Sequence, residues 1–299
     1  MGKHAYLIMV HNNYKVLEKT LLLLDAPYHE IYIHVDSKVK DFPQLHFENL
    51  LKFSNVHIYS KINVNWGGYS QVECEMYLLK EAFSVNNSFY HLISGSDMPL
   101  RRKEEIYDFF EQHIDLLFLT FYDSISGRKK QQLNNRLTKF HLLQEFRKRS
   151  NKETYQKIMT FLSRLLIGLQ IVCRVNRIGT TEVFYGSQWF SLPYSFVKYL
   201  LEQQDNIRIK YRYTQCPDEH FIQMYAMSSE FCHKLYRNDK NEYDNMRYIE
   251  FNTELSAHPM TFQTGDIDKL LNSTKYFARK FDENVDFNVV EELYTKLKD

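Results

Sequence analysis

Apolar residues along this chain come in short runs that alternate with amphipathic stretches. Ala5 to Val10 (AYLIMV) has the pattern of a buried strand and ends in His11-Asn12-Asn13. Lys15 to Leu24 repeats apolar residues at helical spacing. Ile31 to Val35 (IYIHV) is a second strand run, stopped by Asp36, and Val56 to Tyr59 is a third. Strand, helix, strand, strand is the opening of an α/β sheet, which binds its ligands outside the carboxyl ends of the strands. His11 and Asp36, the polar residues at those ends, are candidate nucleotide contacts. Asp36 has the alternative of closing its own turn.

Further along, Ser70 to Phe83 reads as an amphipathic helix entered through Trp66-Gly67-Gly68. Phe89 to Ile93 reads as a strand running into Ser94-Gly95-Ser96-Asp97-Met98-Pro99-Leu100, a turn-rich loop with a proline stop. Lys103 to His113 is predicted helical and Leu116 to Phe121 extended. Lys129 to Lys152 reads as a polar helix. Ile158 to Cys173 reads as a mostly apolar one, whose Thr160, Ser163, Arg164, Gln170 and Arg174 form a narrow polar stripe. Helices are expected over Tyr194 to Gln203, from Glu219 to about Met227 and over Thr264 to Asn272, with a short strand over Arg247 to Phe251. No repeat and no low-complexity linker interrupts this order. The expected organisation is one domain over 1–299: a nucleotide-binding half (1–121), an inserted segment (122–180) and an acceptor or catalytic half (181–299).

Charge changes the picture of that insertion. The chain has 299 residues with Lys+Arg 38 against Asp+Glu 37, a formal net charge of +1, which excludes a uniformly basic nucleic-acid-binding domain. Between Ile125 and Thr180, however, 13 Lys/Arg face 2 Glu, so a local +11 sits inside a body carrying −10. The cluster has aromatic neighbours only near Phe140 and Phe146, too few for base-stacking platforms. Two uses remain open for it: an ordinary packed or oligomer-contact segment, or acceptor delivery, with the apolar 158–173 stretch and its basic flanks lying in a membrane interface. Hydrophobic residues at 44% and charged residues at 25% are ordinary globular usage. The 22 Tyr and 22 Phe serve a core, or sugar-packing faces.

Four cysteines without C-x-x-C spacing suggest neither a disulfide framework nor a zinc knuckle, and a reducing compartment is expected. Met1 to Tyr14 has no signal-peptide pattern, and no run of about 20 apolar residues exists to span a bilayer. G-x-x-x-x-G-K, G-x-G-x-x-G, G-x-S-x-G and H-E-x-x-H are all missing, which removes support for P-loop, dinucleotide, serine-hydrolase and zincin readings.

Three constellations carry chemistry. Pro217-Asp218-Glu219 places two acids at a predicted helix start. They are dipole-capping residues, or one of them is a general base for an alcohol acceptor. Phe277-Ala278-Arg279-Lys280-Phe281-Asp282 sets two cations among aromatics, a solvated basic turn or a site stabilising a diphosphate leaving group. Asp266-Ile267-Asp268 is the single D-x-D. It falls at a helix start rather than after a strand, and is read as helix-start acids; no metal site is expected.

The ordered set AYLIMVHN (5–12), IYIHVDSK (31–38), NWGGYSQVE (65–73), YHLISGSDMPL (90–100), GSQWFSL (186–192), PDEHF (217–221), HPMTFQTGD (258–266) and KYFARKFD (275–282) resembles the core-2/I-branching enzyme family, which holds β-1,6-N-acetylglucosaminyltransferases and peptide O-xylosyltransferases. The motifs are collinear and span most of residues 5–282. The resemblance implies an α/β fold of GT-A type, with a Rossmann-like nucleotide-binding half, a mixed central sheet and, in this chain, a helical basic insertion. It implies a metal-independent inverting transfer from a UDP-sugar, with N-acetylglucosamine or xylose as the usual donors, and no cofactor. Residue by residue, Glu219 falls on the family's catalytic base and Lys280 on its diphosphate-binding lysine. Val10 and Asp36 fall on uridine-contacting positions and Trp66 on an aromatic near the nucleotide. Ser94 and Asp97 belong to a loop that lines the active site, as does Trp189. Asp218 and His258 are expected beside the acceptor or sugar. The family's further diphosphate arginine is replaced here by Ala257, leaving His258 or Arg279 as the substitute. Short bacterial members build surface polysaccharides on the cytoplasmic side of the membrane, which sets the expected role, location and glycan or lipid-linked acceptor. The rival expectation is a sugar-binding protein of the same fold without catalysis.

Overall fold

The computed structural model describes residues 2–83, 87–122, 127–147, 152–179, 181–251 and 259–298, with the backbone alone for 127–130. Its strands are β1 (Lys3–Val10), β2 (His29–Val35), β3 (Asn55–Tyr59), β4 (Asn87–Ser94), β5 (Asp97–Pro99), β6 (Ser191–Pro193), β7 (Arg247–Ile249) and β8 (Phe277–Arg279). Its helices are α1 (Tyr14–Leu23), α2 (Gln44–Glu48), α3 (Tyr69–Ala82), α4 (Lys103–Gln112), α5 (Gly127–Thr138), α6 (Glu153–Val172), α7 (Tyr194–Glu202), α8 (Gln204–Tyr211), α9 (Phe221–Met227), α10 (Ile267–Leu271) and α11 (Asn288–Leu297).

The main sheet has the order β3-β2-β1-β4-β6, parallel through β4 and closed by antiparallel β6. It is the mixed α/β sheet that the opening runs predicted. Every residue of β2 is buried, because helices cover both faces. Alternation divides β1 between two cores. Ala5 and Leu7 pack with α3 residues Val72, Leu78 and Leu79, whereas Tyr6, Ile8 and Val10 pack with Leu17 and Leu21 of α1 and Ile106 and Phe110 of α4. A second sheet, β5-β8-β7, is backed by α10 and α11 through Met98, Leu100, Ala278, Val290 and Leu293. Buried Arg247 fastens the first sheet to the second. Its terminal nitrogens donate to Phe190 O (2.5 Å), Leu92 O (3.3 Å) and Ser191 Oγ (2.8 Å), which compensates much of the cost of burying the charge, while its Nε has no partner.

Parallel pairing sets the strand ends at one edge. Val10 lies opposite Val35 and Met9 opposite Ser94. Asp36 N donates to Val10 O (2.8 Å) and Gly95 N to Met9 O (3.0 Å). The loops carrying His11, Asp36 and Ser94 therefore leave the sheet side by side.

Several elements differ from their sequence pattern. Leu116 to Phe121 forms no strand: it makes single bridges to two different segments, Leu117 to Leu235 and Phe118 to Ser191, so no ladder propagates. The polar helix expected to reach Lys152 ends at Thr138. Beyond it the backbone bonds to tertiary partners instead: Phe140 N to Gln170 Oε1 (2.7 Å) and His141 N to Tyr213 O (2.7 Å). Glu219 does not open a helix but closes the 3₁₀ turn Pro217–Glu219, and α9 starts at Phe221. The basic-aromatic FARKFD stretch contains an internal strand, β8. Asp266-Ile267-Asp268 does run into a helix start, α10, through the 3₁₀ turn Thr264–Asp266.

Candidate active site

The carboxyl edge of the parallel strands holds three loops clasped together. Asn13 Nδ2 donates to Ser96 Oγ (2.7 Å) and to Phe281 O (3.3 Å), and Phe281 N donates to Ser96 O (2.8 Å). This clasp places the segment after β8 against the loop after β4. Asp97, buried, accepts from Ser94 N on one oxygen (2.8 Å) and from Ser94 Oγ (2.8 Å) and Arg279 Nη1 (2.7 Å) on the other. Arg279 also reaches Ser94 Oγ (2.5 Å), and its guanidinium lies 4.4 Å from the Trp189 ring centroid, a cation–π contact. Ser94, Asp97 and Trp189 thus act on Arg279, neutralising and aiming it. Lys280, the next residue, is half-buried. Among the described residues its ammonium has no hydrogen-bond or ion-pair partner, so it is the cation left open at this edge.

His11 is exposed beside them. Partial enclosure lowers its pKa; Asp36 opposes that effect, while Arg279, Lys38 and Lys280 reinforce it. Asp36 closes its own turn, accepting from Lys38 N (3.0 Å) and pairing with Lys38 Nζ (3.2 Å). Lys38 in turn donates to Val64 O (2.5 Å), which ties the loop after β2 to the segment carrying Trp66. Trp66 is 49% exposed. Val10 is buried, its methyls beneath Gly95. His258 lies outside the described residues.

The second centre is built around Pro217–Glu219. Cys216 N donates to Gly67 O (2.8 Å), docking this turn on the Trp66-Gly67-Gly68 loop. Gly67 has φ +71°, a backbone conformation that L side chains rarely adopt, which favours glycine there. Gly186 N donates to Glu219 O (2.9 Å), and a Cβ on Gly186 would overlap Thr120 O at 1.7 Å. The glycine of GSQW is therefore what lets this segment lie against the turn. The Glu219 carboxylate is 37% exposed, and its Oε2 lies 2.5 Å from Arg136 Nη1 of α5.

Asp218 points the other way. It is buried, accepts from Gln71 Nε2 (3.2 Å), and its Oδ1 has no partner. Burial, then the charge of Glu219, pushes its pKa up to about 8. Beside it Glu75 of α3, wholly buried, accepts from Gln188 Nε2 (2.8 Å), and burial together with Asp218 holds its carboxyl well above the usual range. Burial also lowers His220 to about 3, with its Nδ1 near Phe184 O (3.2 Å). A layer of polar groups held toward their neutral forms thus underlies Glu219.

Sequence reasoning missed Arg136, Gln71, Glu75, Gln188 and Tyr122. Gln71 and Glu75 had a legible signal: one helical turn apart, on the face of α3 that also carries Val72, Leu78 and Leu79. Arg136 had none, since it was one cation in a basic helix and its partner is 83 residues away. Tyr122 lies near Glu219, whose charge, after desolvation, raises its phenol pKa, and its ring is 5.3 Å from that of Tyr185.

The fold is that of an α/β protein, whose ligands commonly bind at the carboxyl ends of the parallel strands, where Lys280 lies open; the paired Glu219 carboxylate forms a second centre docked on the Trp66-Gly67-Gly68 loop. Residues 4–273 match the family model described as Core-2/I-Branching enzyme, and the chain belongs to that family. It is 27% identical over 315 residues to Xylosyltransferase 2 of Canis lupus familiaris, covering 96% of this chain and 33% of that protein. To Xylosyltransferase 1 of Mus musculus it is 22% identical, covering 97% of this chain and 30% of that one. The chain thus spans about a third of the length of the curated relatives it matches. Mouse xyloside xylosyltransferase 1 in its apo form has a weak structural likeness: TM-score 0.35 and 11% identity, over 76% of this chain and 83% of that one.

Proposed function

We propose that this chain is an inverting, metal-independent glycosyltransferase that moves a sugar, xylose or N-acetylglucosamine, from a UDP-sugar to a glycan hydroxyl. The observation that carries the reading is the contrast between Asp218 and Glu219. Of two adjacent acids, Asp218 is buried and held toward its neutral form, while Glu219 is exposed at the crevice with a guanidinium on its carboxylate. Only Glu219 can reach an acceptor.

In this reading Glu219 takes the proton of the acceptor hydroxyl as its oxygen bonds to the anomeric carbon. The bond from that carbon to the diphosphate breaks on the opposite face, so configuration inverts in one displacement. UDP leaves with the electron pair. Lys280 offers its open ammonium to the diphosphate, with Arg279, aimed by Asp97 and Trp189, beside it. Tyr122 and Tyr185 offer ring faces to a sugar on the acceptor side.

A thermal-shift screen with UDP, UDP-xylose, UDP-N-acetylglucosamine and UDP-glucose tests it, followed by an assay for UDP release. Ligand at ~100 Kd should stabilise by about 2.7 kcal/mol. No shift with any UDP compound and no UDP release would sink the proposal.

A further inference from the structure

The inserted segment contains a helix turned inside out. Of the expected polar stripe in α6, Ser163 and Gln170 face the protein, whereas Arg164 and Arg174 are exposed: Ser163 is buried, and the Gln170 amide bonds to both the N and the O of Phe140. The apolar arc faces outward. Ile158 is 51% exposed, Phe161 64%, Leu165 50%, Leu169 56% and Val172 80%. They recur at intervals of three and four residues, so they form one stripe from Ile158 to Val172 of the helix. Such a continuous apolar surface marks an interaction site.

Charge tells what covers it. Between Arg147 and Arg174 the chain carries seven Lys/Arg and one acid, Glu153. That acid is already paired with Lys157 (2.7 Å). Lys157 and Arg164 are exposed on one flank of the stripe, and exposed Arg174 closes its carboxyl-terminal end. A protein partner would ask for an apolar groove with an acidic rim. A bilayer with anionic headgroups offers both chemistries over a plane as long as the helix. No helix among the described residues is long and apolar enough to cross a membrane, so the geometry is that of a helix lying in the interface. Through Phe140 the same insertion leads back to α5, whose Arg136 holds Glu219.

We propose that α6 seats this protein on an anionic lipid surface, its apolar stripe in the headgroup boundary and its flanking cations on the lipid phosphates. The inference stands whether or not Glu219 is a catalytic base.

The test is flotation of the full chain with vesicles of phosphatidylcholine alone and of phosphatidylcholine mixed with phosphatidylglycerol, at low and high salt. The expected result is co-flotation with the mixed vesicles only, weakened by salt. Leu165→Glu/Leu169→Glu should abolish it, and Arg164→Glu should lower the partition roughly tenfold or more, because each cation near an anionic surface adds to binding. These positions are exposed, so circular dichroism and Tm should be unchanged, which separates lost binding from lost folding. Absence of flotation with the mixed vesicles overturns the proposal, as does equal flotation with both compositions. It is also overturned by sedimentation equilibrium showing a dimer that the Leu165→Glu/Leu169→Glu chain cannot form, since a second copy then covers the stripe.

Discussion

Arg136 Nη1 lies 2.5 Å from Glu219 Oε2, joining the basic insertion to the acid at the crevice. A carboxylate that must receive a proton needs a fixed position, and this guanidinium supplies it. Glu219→Gln keeps the shape and removes the basicity. Turnover should fall by about 10²–10⁴, the usual worth of general base catalysis, with UDP affinity nearly intact. Arg136→Ala should lower kcat by about tenfold with unchanged UDP affinity, and Arg136→Lys should recover part of it, a split that marks Arg136 as a positioning residue. Unchanged turnover in Glu219→Gln would remove that residue from the mechanism.

Lys280→Ala should weaken UDP binding by about ten- to a hundredfold, the worth of a hydrogen bond to a charged group, measured by calorimetry. EDTA should leave the wild-type activity untouched. Activity abolished by EDTA and restored by a divalent cation would refute the metal-independent reading.

Asp218 predicts a pH dependence of stability. Its folded pKa of about 8 lies above the ordinary 3.8, so between those values the folded state holds a proton that the unfolded state has released. That stabilising contribution is complete below about pH 4 and is lost as pH rises to about 8, at up to ~1.4 kcal/mol per pH unit. Asp218→Asn has no such proton to lose. Denaturant titrations should show the variant gaining on the wild type from pH 5 to 8. Parallel curves would show that Asp218 is ionised in the folded protein.

Glu145, one of two acids between Ile125 and Thr180, accepts from Ser70 N (2.9 Å), Ser70 Oγ (3.0 Å) and Asn65 Nδ2 (3.0 Å). It is a negative charge on the amino-terminal end of α3, where no side chain of the helix's own supplies a cap. Glu145→Ala should cost about 1 kcal/mol in chemical denaturation, typical of a lost cap. If Glu145 makes only a solvated contact, the midpoint will not move.

The order of strands and helices was legible because buried runs such as AYLIMV and IYIHV carry their own period. The PDE acids and the FARKFD cations stood out as candidates, although helix capping and a solvated basic turn were open alternatives, and NWGG and GSQW stood out as family motifs. The polar stripe of α6 was legible as a period, yet its direction was not: a stripe shows that a helix has two faces, but not which of them meets the protein. Gln170 turned its own edge inward by finding the Phe140 backbone, while Arg164 stayed exposed.

By itself the sequence determined the α/β succession, the collinear family motifs and the two candidate centres, since each depends on neighbours within a few residues. Only the tertiary structure decided which acid of Asp218-Glu219 is exposed, which cation of Arg279-Lys280 is left open, and that Arg136 and Glu145 of the insertion serve the crevice and α3. Those outcomes depend on groups up to 185 residues apart, as Ser94 and Arg279 are. Burial and pairing between such groups arise when the chain folds, and no local spacing encodes them.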